Sequence, residues 1–250
     1  MDFDIKTYSR FLDATLRNGY SFQTFKDYLK EPNKKVIILR HDVDLKPYNS
    51  LQFAKIQAER NIKGTYYFRA VKESWNEAII TEIESLGHEV GYHYECLTTA
   101  KGNNEMAIAD FQSNLRKLRE LVPVSTICMH GSPLSKYDSK DLWNQSDYRD
   151  FNIIGEPYFD VNYNQVLYLT DTGRTWNNKK VSVRDHTVSN YKFKFNSTNE
   201  IIKALDKKEL PDQIMFTFHP QRWTNHPIHW TIELIMQNLK NQIKKLIVKH

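Results

Sequence analysis

Residues 40 to 44 read Arg40-His41-Asp42-Val43-Asp44, a cation, an imidazole and two carboxylates in close succession. Side chains two apart in an extended segment lean to the same face, so Asp42 and Asp44 point together. Two such anions repel unless a cation, a proton or a metal ion lies between them. An Asp-rich turn that caps the next helix would explain one aspartate but not the whole group, and ionisable residues clustered this way point to a functional site. His93, His130 and His219 each close a predicted strand further along the chain. Aspartate and histidine together suit Zn²⁺ and similar divalent ions, and a hydrolytic site keeps one position open for water. A nearby second carboxylate can take a proton from that water, and a histidine can give one to a leaving group. No Gly-x-Ser-x-Gly elbow or phosphate-binding loop is present. Cys96 falls close to His93 without the surroundings of a catalytic cysteine.

The elements that must position these groups can be read from periodicity. Val36-Ile37-Ile38-Leu39 reads as a strand buried on both faces, ending where α/β folds place their chemistry. Thr65–Phe68, His88–Tyr92, Ser125–Met129 and Ile214–Phe218 read as further strands, the last three followed by His93, His130 and His219. Helical spacing runs through 7–29, then from Pro47 through Leu51, Ala54 and Ala58, and from a Ser74 cap through Trp75, Ile79, Ile83 and Leu86 to Gly87. More follows at 104–121 and 198–206, and from about Pro227 an amphipathic helix carries Ile232, Ile235, Leu239, Ile243 and Leu246. Short strands are expected at 151–154, 166–170 and 180–184. Successive strand–helix units imply parallel β structure with right-handed crossovers, and a closed or nearly closed barrel gathers its strand ends at one mouth.

A chain of 250 residues fits one large α/β domain, read as 1–250 with a helical extension over 1–33. With 40% hydrophobic and 26% charged residues it can bury a real core. Aromatics at 13% could line a sugar-binding groove or simply fill that core. The net charge of +5 is mild, and Lys240, Lys244, Lys245 and Lys249 read as a solvated helix face rather than a nucleic-acid surface. The start, Met1-Asp2-Phe3-Asp4-Ile5, lacks the pattern of a signal peptide, and no run is long enough for a membrane span. Cys96 and Cys128 imply no disulfide framework. The expected location is the cytoplasm.

In Arg40-His41-Asp42-Val43-Asp44, Gly87-His88-Glu89-Val90-Gly91-Tyr92-His93 and Phe216-Thr217-Phe218-His219-Pro220 the chain resembles the polysaccharide deacetylase family, the nodulation-protein-B-like members of carbohydrate esterase family 4. The resemblance implies a distorted (β/α) barrel with fewer than eight strands and metal-dependent removal of an acyl group from an amide-linked sugar. It assigns Asp42 as general base, Asp44 and His93 as metal ligands and His219 as general acid. Arg40 and His41 become supporting residues. Asp171, in Thr170-Asp171-Thr172-Gly173-Arg174-Thr175-Trp176, would orient the catalytic pair, with Arg174 and Trp176 beside it.

The chain departs from the family at Leu97, where a second metal-binding histidine is expected four residues after His93. Leucine cannot ligate a cation. His130, in Met129-His130-Gly131-Ser132-Pro133, is the first choice for the replacement ligand and Glu95 the second. His88 is read as structural, His186 is left open, and His226, His229 and His250 receive no role. The expected ion is zinc, with cobalt, manganese or nickel as alternatives. The expected reaction is hydrolysis of an N-acyl group, N-acetyl first, from a sugar or a nucleotide- or lipid-linked glycan precursor. The competing readings are an amidase for another small C–N substrate and an inactive carbohydrate-binding or scaffolding protein. Sequence leaves the oligomeric state open.

Overall fold

The computed structural model describes residues 1–132, 135–176 and 187–247, with side chains through residue 242. Its strands are β1 (Ser21–Gln23), β2 (Val36–Val43), β3 (Thr65–Phe68), β4 (Glu89–Tyr94), β5 (Ile127–Met129), β6 (Leu167–Thr170) and β7 (Gln213–Phe218). They form one wholly parallel sheet in the order β5-β4-β3-β2-β7-β6, with β1 beside the first half of β2. The helices are α1 (Ile5–Arg17), α2 (Phe25–Lys30), α3 (Pro47–Ala58), α4 (Glu77–Ser85), α5 (Cys96–Thr99), α6 (Asn104–Leu121), α7 (Pro157–Asp160), α8 (Thr198–Asp206) and α9 (Pro227–Ile247). The result is the expected α/β architecture, a distorted barrel with fewer than eight strands. Gly155, in the segment between β5 and β6, forms an isolated parallel bridge with Thr126 beside β5.

β2 is buried along its whole length because both its faces pack. Ile37, Leu39 and Val43 join the outer core between sheet and helices, while Ile38 turns inward to meet Phe25, Tyr67, Cys128, Tyr163 and Met215. The same two-residue alternation sends Val90, Tyr92 and Tyr94 of β4 outward and leaves Glu89, Gly91 and His93 facing in. Gly91 is required there: a Cβ would collide with the Tyr67 ring and the Thr126 carbonyl oxygen. At the base of the barrel Glu89 accepts hydrogen bonds from Thr65 Oγ1, Thr126 Oγ1 and the Lys26 backbone N–H, tying together β3, the start of β5 and α2.

Several local expectations are corrected. Residues 1–33 are more than a helical extension, because β1 joins the sheet and Tyr8 of α1 stacks on Phe53 with ring centroids 3.8 Å apart. Ser74 does not cap α4; Asn76 does, and the Ser74 hydroxyl donates instead to the Val43 carbonyl at 2.5 Å, bracing the end of β2. The segment 151–154 is a 3-10 turn and loop rather than a strand. The strand expected at 180–184 and His186 lie outside the described residues.

Candidate metal centre and active site

β2 delivers Arg40 and Asp42 to the barrel interior, and Asp44 follows on the same side. His93 is the fifth residue of β4, while His130 and His219 come directly after β5 and β7. His130 still follows the sheet, its backbone N–H donating to the Tyr94 carbonyl at 2.8 Å. Asp44, His93 and His130 therefore converge, each offering one ligand atom, with those atoms all within 4.8 Å of one another. Asp44 Oδ1 lies 3.5 Å from His93 Nε2 and 3.4 Å from His130 Nε2.

Each imidazole is fixed at its other nitrogen. His93 Nδ1 donates to the Cys128 carbonyl at 2.9 Å, and His130 Nδ1 donates to Glu95 at 3.0 Å. Those bonds leave both Nε2 lone pairs turned toward Asp44, the orientation a metal-binding histidine needs. Glu95 is held by Arg69 Nε and Nη2 at 2.9 and 2.6 Å. Burial alone would push the Glu95 carboxyl up, but His130 and Arg69 outweigh it and bring it down to about 2. Glu95 is thus held as an anion between Arg69 and His130 Nδ1.

Asp44 Oδ2 accepts from Gln221 Nε2 at 3.1 Å, whereas Oδ1 is buried without a hydrogen-bond partner. A buried carboxylate oxygen in that state is costly unless something positive meets it. Burial would raise the Asp44 carboxyl, yet His130, His93 and His219 hold it well below the usual carboxylate range. The spacings of 3.4 and 3.5 Å match the separation of about 3.4 Å expected between donors around a tetrahedral ion with bonds near 2.0–2.2 Å. The residues fit a divalent ion.

Asp42 stands beside this group, with Oδ2 3.8 Å from His93 Nε2. Arg40 grips it through Nε and Nη2 at 2.8 and 2.7 Å and also donates to the Tyr158 hydroxyl at 3.2 Å. Burial works against the Arg40 charge, but Asp42 outweighs it and keeps the guanidinium protonated. On the other side His219 Nε2 is 3.9 Å from Asp44 Oδ2. His219 Nδ1 donates to Asp171 at 2.5 Å, and Asp171 also accepts from the His219 backbone N–H, Arg222 Nη1 and Trp223 Nε1. Burial would raise the Asp171 carboxyl, but His219, Arg222 and Trp223 hold it below the ordinary range.

Three of the residues singled out from the sequence stand elsewhere. His41, one position from Asp42, faces the opposite side of the sheet. Its Nδ1 donates to the Thr65 carbonyl and its ring stacks on Tyr66 at 4.0 Å, while Gln57 and Tyr8 contact Nε2. Burial drops its pKa to about 3, so it is a neutral core residue. Arg174 donates to the Trp230 carbonyl, and Trp176 donates to Thr198 Oγ1 while packing on Phe216 and Phe218. Both anchor outer elements rather than orient the site. Leu97 lies in the outer core on α5. His88 is structural as expected, accepting from the Gly64 N–H and donating to the Ala54 carbonyl.

Arg69, Gln221, Arg222, Trp223 and Tyr158 were not picked out from sequence. Arg69 immediately follows β3, and Gln221, Arg222 and Trp223 come just after His219-Pro220. The rule that located the histidines, polar residues at strand ends, extends to them.

No family profile matches the sequence, and no curated protein matches it. Among solved structures the chain is similar to members of carbohydrate esterase family 4. A family 4 esterase from Streptococcus mutans is 14% identical, over 92% of this chain and 89% of that one, with a TM-score of 0.48. A family 4 pseudoenzyme from Bacillus anthracis is 14% identical over 86% of this chain, with a TM-score of 0.45, and the match spans only 63% of that protein's length. A peptidoglycan deacetylase from Bacillus subtilis is 15% identical, over 86% of this chain and 98% of that one, with a TM-score of 0.40.

Proposed function

We propose that the protein is a metal-dependent hydrolase that removes an N-acyl group, N-acetyl first, from a sugar or glycan precursor. The observation that carries this is Asp44 Oδ1: buried, unpartnered and faced by two imidazole Nε2 atoms whose other nitrogens are already committed. Asp44, His93 and His130 would hold the ion, zinc first. When bound, such an ion polarises an amide carbonyl and lowers the pKa of water.

The flanking groups divide the proton chemistry. Asp42 takes the proton of the attacking water, and its bidentate pairing with Arg40 fixes the carboxylate beside the His93 edge of the centre. His219 gives a proton from Nε2 to the departing amine. Asp171 holds the ring through Nδ1 and offsets the imidazolium charge. An open groove of about 580 Å³ begins at Tyr158, the ring that shares Arg40 with Asp42, and is lined in part by Asp138, Lys140, Asn162 and Tyr163. Aromatic rings interleaved with amide and carboxylate groups suit the alternating apolar and hydroxyl faces of a sugar.

The test is acetate release from N-acetylated sugars and oligosaccharides with the metal-loaded protein. Activity that disappears in both Asp42→Asn and His219→Ala supports the assignment. Release undiminished in either variant would remove that residue from the chemistry. An inactive binding protein would show sugar affinity and no acetate.

A further inference from the structure

Directly after β7 and His219, Pro220–Arg222 forms a single 3-10 turn that is fastened on several sides. The Arg222 and Trp223 backbone N–H groups donate to the His219 and Pro220 carbonyls at 2.9 and 3.0 Å. Asn49 Nδ2, from α3, donates to the Pro220 and Trp223 carbonyls at 3.3 and 3.2 Å. Arg222 and Trp223 turn their side chains to Asp171. Gln221 meets Asp44 instead, with its Nε2 3.1 Å from Oδ2, and is only 6% exposed.

Charge fixes the direction of that amide. An ionised carboxylate only accepts, so the NH₂ end of Gln221 must face it and the carbonyl end must point elsewhere. Oε1 is accordingly buried with no hydrogen-bond partner. An unmet buried acceptor costs free energy that a methionine at this position would avoid. The compensating gain lies at Asp44 Oδ2, where Nε2 donates.

Two other partners would compete for that oxygen. His219 Nε2, which gives its proton to the departing amine in the proposed reaction, is 3.9 Å from Oδ2. A divalent ion held by Oδ1 would draw in Oδ2 as well, because carboxylates ligate through one oxygen or through both. Pairing with Asp44 would tie up the proton of His219. A second Asp44 oxygen on the ion would fill the position that a hydrolytic site keeps open for water.

We propose that Gln221 is a positioning residue that occupies Asp44 Oδ2, keeping Asp44 a one-oxygen ligand and His219 separate from it. The inference rests on the metal-dependent hydrolase reading and adds to it a residue that touches neither ion nor substrate.

Cobalt(II) in place of zinc tests this without turnover, since its visible absorption is strong at a four-coordinate site and weakens as ligands are added. Gln221→Met and Gln221→Glu keep the size of the side chain and remove its donor, and circular dichroism checks that each folds. Both should bind cobalt with a visible band severalfold weaker than that of wild type, and kcat for acetate release should fall severalfold. The band depends on the metal centre alone, whereas acetate release depends also on the deacylase reading. A band that weakens in the variants while wild type releases no acetate would support the role of Gln221 and remove the deacylation. Cobalt bound by wild type with a band that both substitutions leave unchanged would overturn the role of Gln221 and leave the metal centre standing. A wild-type protein that takes up no cobalt would overturn both.

Discussion

Replacing Asp171 by asparagine keeps the shape of the side chain and removes its charge. The carboxylate faces only donors: the His219 backbone N–H at 3.0 and 3.1 Å, His219 Nδ1 at 2.5 Å, Arg222 Nη1 at 3.3 Å and Trp223 Nε1 at 2.6 Å. An amide NH₂ must take one of the two oxygen positions. At Oδ2 it opposes the indole N–H, which has no acceptor capacity. At Oδ1 it faces His219 Nδ1 with a donor, so that nitrogen must give up its proton, and the imidazolium that donates from Nε2 is no longer stabilised. Leaving a buried donor unmet costs about 1–3 kcal/mol. The charge is worth more: at roughly 4 Å and an effective dielectric of about 20, a carboxylate stabilises an imidazolium by about 4 kcal/mol. If the transition state feels all of it, the turnover number falls by about three decades. Initial rates of acetate release over a range of substrate concentrations check this, beside circular dichroism to confirm folding. A folded Asp171→Asn protein with kcat within about threefold of wild type would refute the reasoning.

Three further outcomes follow from the same geometry. Glu95→Gln should lower zinc affinity about 10–100-fold without abolishing it, because Glu95 aims His130 and does not ligate; competition with a chromophoric chelator measures this, and complete loss of binding would make Glu95 a ligand. Gly91→Ala should destabilise the protein by about 1–3 kcal/mol or more, since the added Cβ meets the Tyr67 ring and a backbone carbonyl; urea denaturation reads the change. Glu156 accepts from the Met129 and Tyr158 backbone N–H groups, and burial raises its pKa from 4.5 to about 7. The folded state therefore keeps a proton that the unfolded state has released, and this contribution to stability falls as pH rises from about 4.5 to 7 and is flat above. The full change is on the order of 3 kcal/mol. Glu156→Gln should flatten that part of the urea-midpoint profile, and an unchanged slope would contradict the assignment.

The strand ends were legible because apolar runs ending in ionisable residues recur from Val36 to His219, and a parallel barrel has one place to gather them. His130 was legible too, from its position after a strand. Alternation should also have excluded His41: it lies between Arg40 and Asp42, so it cannot share their face. The residues that hold the site were harder to read. Asp171 and His219 are 48 positions apart, and nothing local in either segment announces that Arg222 and Trp223 close on the same carboxylate. Ser74 has the composition of a helix cap, but its hydroxyl finds the Val43 carbonyl, a tertiary contact that outweighs local preference. The stripe of α9 shows the opposite limit. Periodicity marked Ile232, Ile235 and Leu239 as one face, but not whether that face meets the core, and they are exposed.

The most direct test of the central claim is metal content by elemental analysis of wild type, Asp44→Ala, His130→Ala and Leu97→Ala after dialysis against zinc. About one ion per chain is expected in wild type and Leu97→Ala, with loss in Asp44→Ala and His130→Ala, since in the proposed centre His130 takes the ligand role that Leu97 cannot. A wild-type protein without metal, or a His130→Ala variant that keeps its full complement, would contradict the centre described here.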